Sequence, residues 1–208
     1  MFKVKERVIS LFFLMNGLLI IFILLGIFAL MLFNSLPAFK EITLREFFFS
    51  TSWDPTAYRG AEYGILSQVL STFMVTLGSM ILAVPLGVGT AAYIAEVASP
   101  RMKGILKPVI EILAGIPSVV IGFLGIVTLN PLISRIFNVP SGLNALNGSI
   151  LLAIMALPTI ISLAEDAITA VPDSYKAASL SLGASPWQTL VGVTLPSSLS
   201  GIIAAIML

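Results

Sequence analysis

Cysteine and histidine are both missing from the 208 residues. Without cysteine there is no disulfide framework, no thiol nucleophile and no thiolate metal site. Without histidine, the commonest general base, metal ligand and neutral-pH switch is gone. Charge is scarce as well: 10% of residues are charged, against 58% hydrophobic. Soluble domains carry about 25% charged residues, so this chain could not cover a soluble surface with charge. The formal net charge is +1. With no basic patch, nucleic acid is not an implied partner. The phosphate-loop pattern G-x-x-x-x-G-K-[ST] does not occur, so the chain is not itself an ATPase of that kind. No nucleophile–base set and no metal-ligand cluster can be assembled, so no catalytic residue, metal or cofactor is expected.

What the chain does have is long uncharged runs. The N-terminus MFKVKER is positive, and an apolar run follows from Val8 to Phe33. That run is about twice as long as the core of a signal peptide, with no small-residue cleavage site after it, so it reads as a retained first span. As a helix it would measure about 39 Å, enough to cross a bilayer with tilt. A polar segment, 34–62, carries Lys40, Glu41, Arg45, Glu46, Asp54, Arg59 and Glu62, and its FFFSTSWDPTAY stretch suits an interfacial or external loop.

A second span lies within Tyr63–Ala95, with a kink expected at Pro85. A third is expected over roughly Ile112–Ile133, interrupted by Gly115, Pro117 and Gly122. A fourth is expected over about Ser149–Ala164, with Pro158 inside it. SSLSGIIAAIML then opens a fifth span, which reaches Leu208 after about 12 residues, too few to cross about 30 Å. The expected fold is therefore all-α and polytopic, with the fifth span cut short. Lys3, Lys5, Arg7, Arg101, Lys103, Lys107 and Lys176 would face one side, and Lys40, Arg45, Arg59 and Arg135 the other. The excess of basic residues puts the N-terminus in the cytoplasm.

Gly87-Val88-Gly89-Thr90-Ala91-Ala92 fits a dinucleotide fingerprint on paper. It lies inside a membrane-length run without a strand–turn–helix setting, so close helix packing is the better reading. No ionisable residue sits in the centre of a span, and Glu111, Glu165 and Asp166 fall at span ends. That speaks against ion-coupled transport. Gly115-Ile116-Pro117-Ser118 breaks span three. It reads either as a packing kink or as an opened helix whose freed backbone and Ser118 line a route. By chemistry alone, Ser118, Thr128 and Arg135 are candidate donors to an anion, with Arg135 also suited to anchor a helix at the interface.

Tyr175–Pro196, YKAASLSLGASPWQTLVGVTLP, has no charge after Lys176 and yet looks unlike a span. Ser174 can cap a helix starting at Tyr175, and Gly183 can end it in the left-handed conformation. Ser185-Pro186-Trp187-Gln188 is a capping-box start for a second helix. Pro196 suits the first turn of span five. Two short helices are expected, with Leu180, Leu182, Trp187 and Leu190 in need of a partner surface. They lack the Lys and Arg usual on a lipid-bound helix.

These residues resemble the EAA loop of the membrane subunits of ATP-binding-cassette importers, E-A-A-x-x-x-G-x(9)-I-x-L-P. Ala178, Gly183, Val193, Leu195 and Pro196 match the pattern, and Ala177 stands where the family has Glu. The stretches FFFSTSWDPT, EILAGIPSVVIGFLGI, LPTIISLAEDAITAVP and YKAASLSLGAS together resemble the phosphate-specific permease with a WDP loop after its first span. The resemblance implies a type I importer fold of six spans, with Tyr175, Lys176, Ala177, Ala178, Gly183, Ala184, Trp187, Val193, Leu195 and Pro196 in an ATPase-coupling loop spanning 165–196. It implies an ATPase dimer, a homologous permease subunit and an extracytoplasmic phosphate-binding protein as partners, besides membrane lipid, in a bacterial or archaeal inner membrane. With Ser174 as N-cap, position 177 is N3, so Ala177 would forgo a capping box worth about 0.5–1 kcal/mol. Permeases of the same class for molybdate, sulfate or phosphonate, and a secondary carrier needing no ATPase, stay open as alternatives.

Overall fold

The computed structural model describes residues 2–57 and 60–208, and divides into two compact units, 1–69 and 70–208. Arg59, counted above among the basic residues of the polar segment, lies outside the described residues. In the first unit, helix α1 runs over Phe2–Ser35, followed by short helices α2 (Ala38–Glu41) and α3 (Leu44–Phe49). Strands β1 (Trp53–Asp54) and β2 (Glu62–Tyr63) pair antiparallel, Trp53 opposite Tyr63, with the two rings edge to face at 5.9 Å. The amide of Gly64 donates to Ser52 O and that of Ile65 to Phe47 O, folding the ribbon back on α3.

Helix α4 (Leu66–Ala92) runs unbroken through Pro85 and ends in a π-helical turn, Tyr93–Val97. Helix α5 (Pro100–Ala114) begins with Ser99 as N-cap, its hydroxyl accepting from the Met102 amide. Span three then departs from the sequence expectation. The helix stops at Ala114 and restarts at Ser118, giving α6 (Ser118–Leu124), a π turn (Gly125–Leu129) and α7 (Asn130–Phe137). Pro117, with ψ 135°, is extended. A proline also pushes its predecessor out of the helical region, so Ile116–Pro117 separates two helices. Ile112–Ala114 therefore belong to α5, and the span is Ser118–Phe137.

Helix α8 (Ala145–Thr169) is longer at both ends than its uncharged core suggested. Asn144 caps it, accepting from the Asn147 amide. Helix α9 (Asp173–Ser181) leads through Gly183 to α10 (Pro186–Thr189), a third π turn (Leu190–Thr194), α11 (Leu195–Ser197) and α12 (Leu199–Met207). Pro196 thus sits in a helix that began at Pro186. The direction changes later, at Ser198, where the two segments bend by 63°.

The second and third π turns share a cause. Proline cannot donate to the carbonyl four residues back, and its ring clashes with it. Pro131 and Pro196 each follow a π turn by one residue. The amides of Asn130 and Leu195 reach Gly125 O and Leu190 O, one residue farther than in an α-helix. The wider turn takes up the carbonyls of Val127 and Gly192, which a regular helix would press against the proline rings.

The core of the second unit is built where the end of α4, α8, the third π turn and α12 meet: Ala91, Ala92, Ile94, Ile161, Ala164, Ile168, Leu190, Ile202 and Ala205. Small residues let the backbones approach, as expected of membrane helices. A Cβ on Gly87 would lie 2.6 Å from Ile160 Cγ2, and one on Gly201 would lie 2.5 Å from Ala167 Cβ. Gly89, the other glycine of the fingerprint-like run, has open space around it. Among the described residues, Glu6–Lys40, Leu66–Val97, Ser118–Phe137 and Ala145–Thr169 form helices long and apolar enough to cross a membrane, and the bent pair 186–207 adds a fifth if it counts as one span.

Candidate functional site

The expected two-helix element is present between Asp173 and Thr189. Gly183 has φ +88°, the left-handed conformation in which a Cβ is strained. Its amide donates to Leu180 O and that of Ala184 to Ser179 O. This is a Schellman ending, which satisfies two of the carbonyls left over at the end of α9. The capping box of α10 is also in place: the Gln188 amide donates to Ser185 Oγ, and the Ser185 amide to Gln188 Oε1.

Two expectations about this element are corrected. Ser174 is not the N-cap: α9 starts at Asp173, with Pro172 before it and no side-chain cap. Position 177 is then too deep in the helix to act as N3. The preceding proline also has no amide hydrogen for a Glu to accept from. The capping cost assigned to Ala177 therefore does not arise, and Ala177 is simply exposed. Leu190 is not an exposed residue awaiting a partner. It is buried in the core, and it anchors the element. Leu180, Leu182 and Trp187 do face outward, Leu182 being 90% and Trp187 70% exposed.

Polar ties complete the anchoring. Lys176 Nζ lies 2.7 Å from Glu96 Oε1, in the π turn that ends α4, and 3.7 Å from Asp173 Oδ1. The hydroxyls of Ser179 and Thr189 meet at 3.0 Å, joining α9 to α10. From the other side, Lys103 Nζ donates to Ala95 O at 3.0 Å. A cleft of about 300 Å³ opens between these parts, walled by Glu96, Lys176, Leu180, Trp187 and Thr194. The Thr194 hydroxyl is buried and has no hydrogen-bond partner among the described residues.

The residues proposed from the sequence for a substrate route are not brought together. Pro117 and Ser118 stand at the start of α6, Thr128 lies in the π turn, and Arg135 occupies the last turn of α7. At about 1.5 Å per residue, Ser118 and Arg135 are about 25 Å apart along the span. Thr128 borders a largely apolar cleft of about 310 Å³ with Leu113, Ile121 and Leu151. A larger cleft, about 500 Å³, lies between α5 and α8 and is lined by Lys107, Glu111, Glu165 and Asp166. Lys107 Nζ sits 2.9 Å from Glu165 Oε2. The hydrogen bond to Glu165 raises the Lys107 pKa above its ordinary 10.5, against the opposing effect of burial. Both lysines on cleft walls are thus already paired with carboxylates.

Sequence reasoning missed Asn147. Its side-chain amide is buried and donates to Gly125 O at 3.1 Å and to Gly142 O at 3.0 Å. It ties α8 to the π turn of span three and to the loop before α8. Asn147 stands in the Asn-, Gly- and Ser-rich stretch SGLNALNGS, which reads as a polar loop, so the sequence carried no signal that its amide would be buried.

Apart from the short β1–β2 ribbon the described elements are helices, and the glycine-jointed helix pair is anchored at the ends of apolar ones. The chain belongs to the family of inner membrane components of binding-protein-dependent transport systems, whose pattern covers residues 83–208. It is 40% identical over 163 residues to the "Probable ABC transporter permease protein YqgH" of Bacillus subtilis, covering 78% of this chain and 52% of that protein. It is 31% identical over 181 residues to the phosphate transport system permease protein PstC of Xylella fastidiosa, covering 78% and 55%. The chain thus spans about half the length of these curated relatives. In fold it is similar to a chain of the MetNI methionine ABC transporter in inward-facing conformations, with TM-score 0.52 and 22% identity over 69% of this chain and 64% of that one.

Proposed function

We propose that the chain is a transmembrane subunit of an ATP-driven importer for inorganic phosphate. The observation that carries this reading is the element at Asp173–Thr189, in the setting of the family match. Its outward apolar residues stand on a glycine joint, its inner residues lie in the core, and it is too short to cross a bilayer. Such an element is suited to receive motion from outside the membrane. The named phosphate permeases among the relatives support phosphate as substrate.

In this reading the N-terminus is cytoplasmic, as the distribution of Lys and Arg favours. Residues 34–62 lie outside the cell, and 165–196 face the cytoplasm. An ATPase dimer docks on Tyr175–Pro196 with Leu182 and Trp187 as apolar contacts, and supplies the energy by hydrolysing ATP. A homologous permease subunit completes the route along Pro117, Ser118 and Thr128, with Arg135 near its end, and an extracytoplasmic binding protein delivers phosphate. The subunit does no covalent chemistry: it alternates access between the two sides.

The test is uptake of radiolabelled phosphate by proteoliposomes holding the purified transporter. Uptake that needs ATP and is not competed by excess molybdate, sulfate or phosphonate is expected. Stronger competition by one of those anions than by phosphate would reassign the substrate. Uptake driven by an ion gradient without ATP would overturn the ATP-coupled reading.

A further inference from the structure

We infer that Lys176 is a positioning residue, which fixes α9 to the end of α4 through Glu96 so that the two move together. The inference rests on the coupling role proposed for Tyr175–Pro196. It begins from how little else holds α9. None of its residues is fully buried, and only Lys176 and Ser179 are half-buried, so side-chain packing holds it weakly. Its continuation through Gly183 and the Ser179–Thr189 hydroxyl contact tie it to α10. Besides its chain link to α8 through buried Val171, α9 is tied to the end of α4 by Lys176 on Glu96.

The pair has the features of an effective link. Nitrogen and oxygen are 2.7 Å apart, and the two side chains are only 20% and 22% exposed, so water screens the attraction less than at an open surface. Asp173 cannot substitute for Glu96: its carboxylate is 3.7 Å from the lysine and fully exposed, and it belongs to α9 itself.

Glu96 is placed to pass displacement on. It lies in the π turn that ends α4, two residues after Ile94, one of the most buried side chains of the core. Lys103 of α5 holds the same turn through Ala95 O. A push on α9 therefore reaches a turn to which α4, α5 and the core are all attached. The turn is π-helical, with one residue more than an α-helical turn, a geometry found frequently at functional sites.

The experiment uses the assembled transporter with its full-length subunit, purified and reconstituted. It compares wild type with Lys176→Met, Lys176→Glu, Lys176→Arg and the exchange Lys176→Glu with Glu96→Lys. Two quantities are read: ATPase retained on the subunit, and phosphate moved per ATP hydrolysed. We expect Lys176→Met and Lys176→Glu to lower the phosphate-to-ATP ratio about fivefold or more, the scale of a typical coupling between sites. Lys176→Arg and the exchange should restore it. Loss of ATPase from Lys176→Glu with recovery in the exchange would support the same link. A wild-type ratio in Lys176→Met, or an exchange as poor as Lys176→Glu, would overturn the inference alone. A wild-type complex that carries no ATPase would instead overturn the docking reading beneath it.

Discussion

Helices α8 and α9 follow one another across Ala170–Pro172 and are held in opposite ways. Helix α8 buries residues along its length, among them Asn147, Ser149, Ala153, Ile161, Ala164 and Ile168. Helix α9 buries none. In a membrane, lipid competes equally for apolar side chains, so α8 is placed by close contact and by hydrogen bonds such as those of Asn147 and Ser149. Among the described residues, the polar ties of α9 to its neighbours are an ion pair and a hydroxyl contact, beside its chain links through Val171 and Gly183. A helix fixed by shape moves only with its neighbours. A helix fixed by a few polar ties can be displaced without rebuilding a core, the property that the proposed coupling role needs.

The comparison breaks hardest where α12 meets α8. In Gly201→Val the new Cβ would lie 2.5 Å from Ala167 Cβ. The helices must separate, at a cost of about 1–3 kcal/mol, read as a lower Tm and lower yield of the detergent-purified protein. Gly192→Ala, in open space on the third π turn, should leave Tm near wild type. Asn147→Asp tests the polar side of α8 packing. It replaces two donated hydrogen bonds with a carboxylate facing two carbonyl oxygens. It should cost about 1–3 kcal/mol in the same melting experiment.

Changes in the α9 joint should act differently. Gly183→Ala strains a residue at φ +88° by about 1–2 kcal/mol. Because α9 buries nothing, that strain should relax by shifting α9, not by loosening the core. Tm should stay near wild type while, under the proposed function, phosphate moved per ATP falls. A fall in Tm as large as that of Gly201→Val would show that α9 belongs to the packed body after all, and the contrast with α8 would be lost.

The parts legible in the sequence were those set by neighbouring residues. Apolar runs marked the membrane-length helices, Gly183 announced its left-handed turn, and Ser185 with Gln188 announced a capping box. The parts that were not legible depend on contacts far along the chain or on proline acting over a whole turn. Ile112 looked like the start of span three because hydropathy runs through it, yet Pro117 ends one helix and starts another. Ser174 looked like a cap, but Pro172 sets the entry to α9. Leu190 looked exposed by composition, and only the meeting of α4, α8 and α12 shows it buried. The pairing of Lys176 with Glu96 joins residues that no local pattern connects. Ser118, Thr128 and Arg135 were chosen by side-chain chemistry alone, and they lie along one span without converging.

The smallest expected effect concerns the other lysine–glutamate pair, which ties α5 to α8 and so tests whether charge also matters where packing already holds a helix. Lys107 is half exposed and its partner Glu165 is mostly buried. Exposed pairs contribute about 0–1 kcal/mol, so Lys107→Met should lower Tm only slightly. The pH dependence is the sharper readout. The hydrogen bond to Glu165, with the nearby charges of Glu165, Asp166 and Glu111, raises the lysine pKa above 10.5, although burial opposes the rise. A lysine whose pKa is raised on folding adds stability that is fully present below the unfolded value and is lost as pH climbs through the folded one. The Tm difference between wild type and Lys107→Met should therefore be flat through neutral and mildly alkaline buffers, and shrink only above pH 10.5. No Tm difference at any pH would mean that Glu165 is held by α8 packing and gains nothing from Lys107. The ion pair would then be a consequence of where α5 and α8 sit, not a cause.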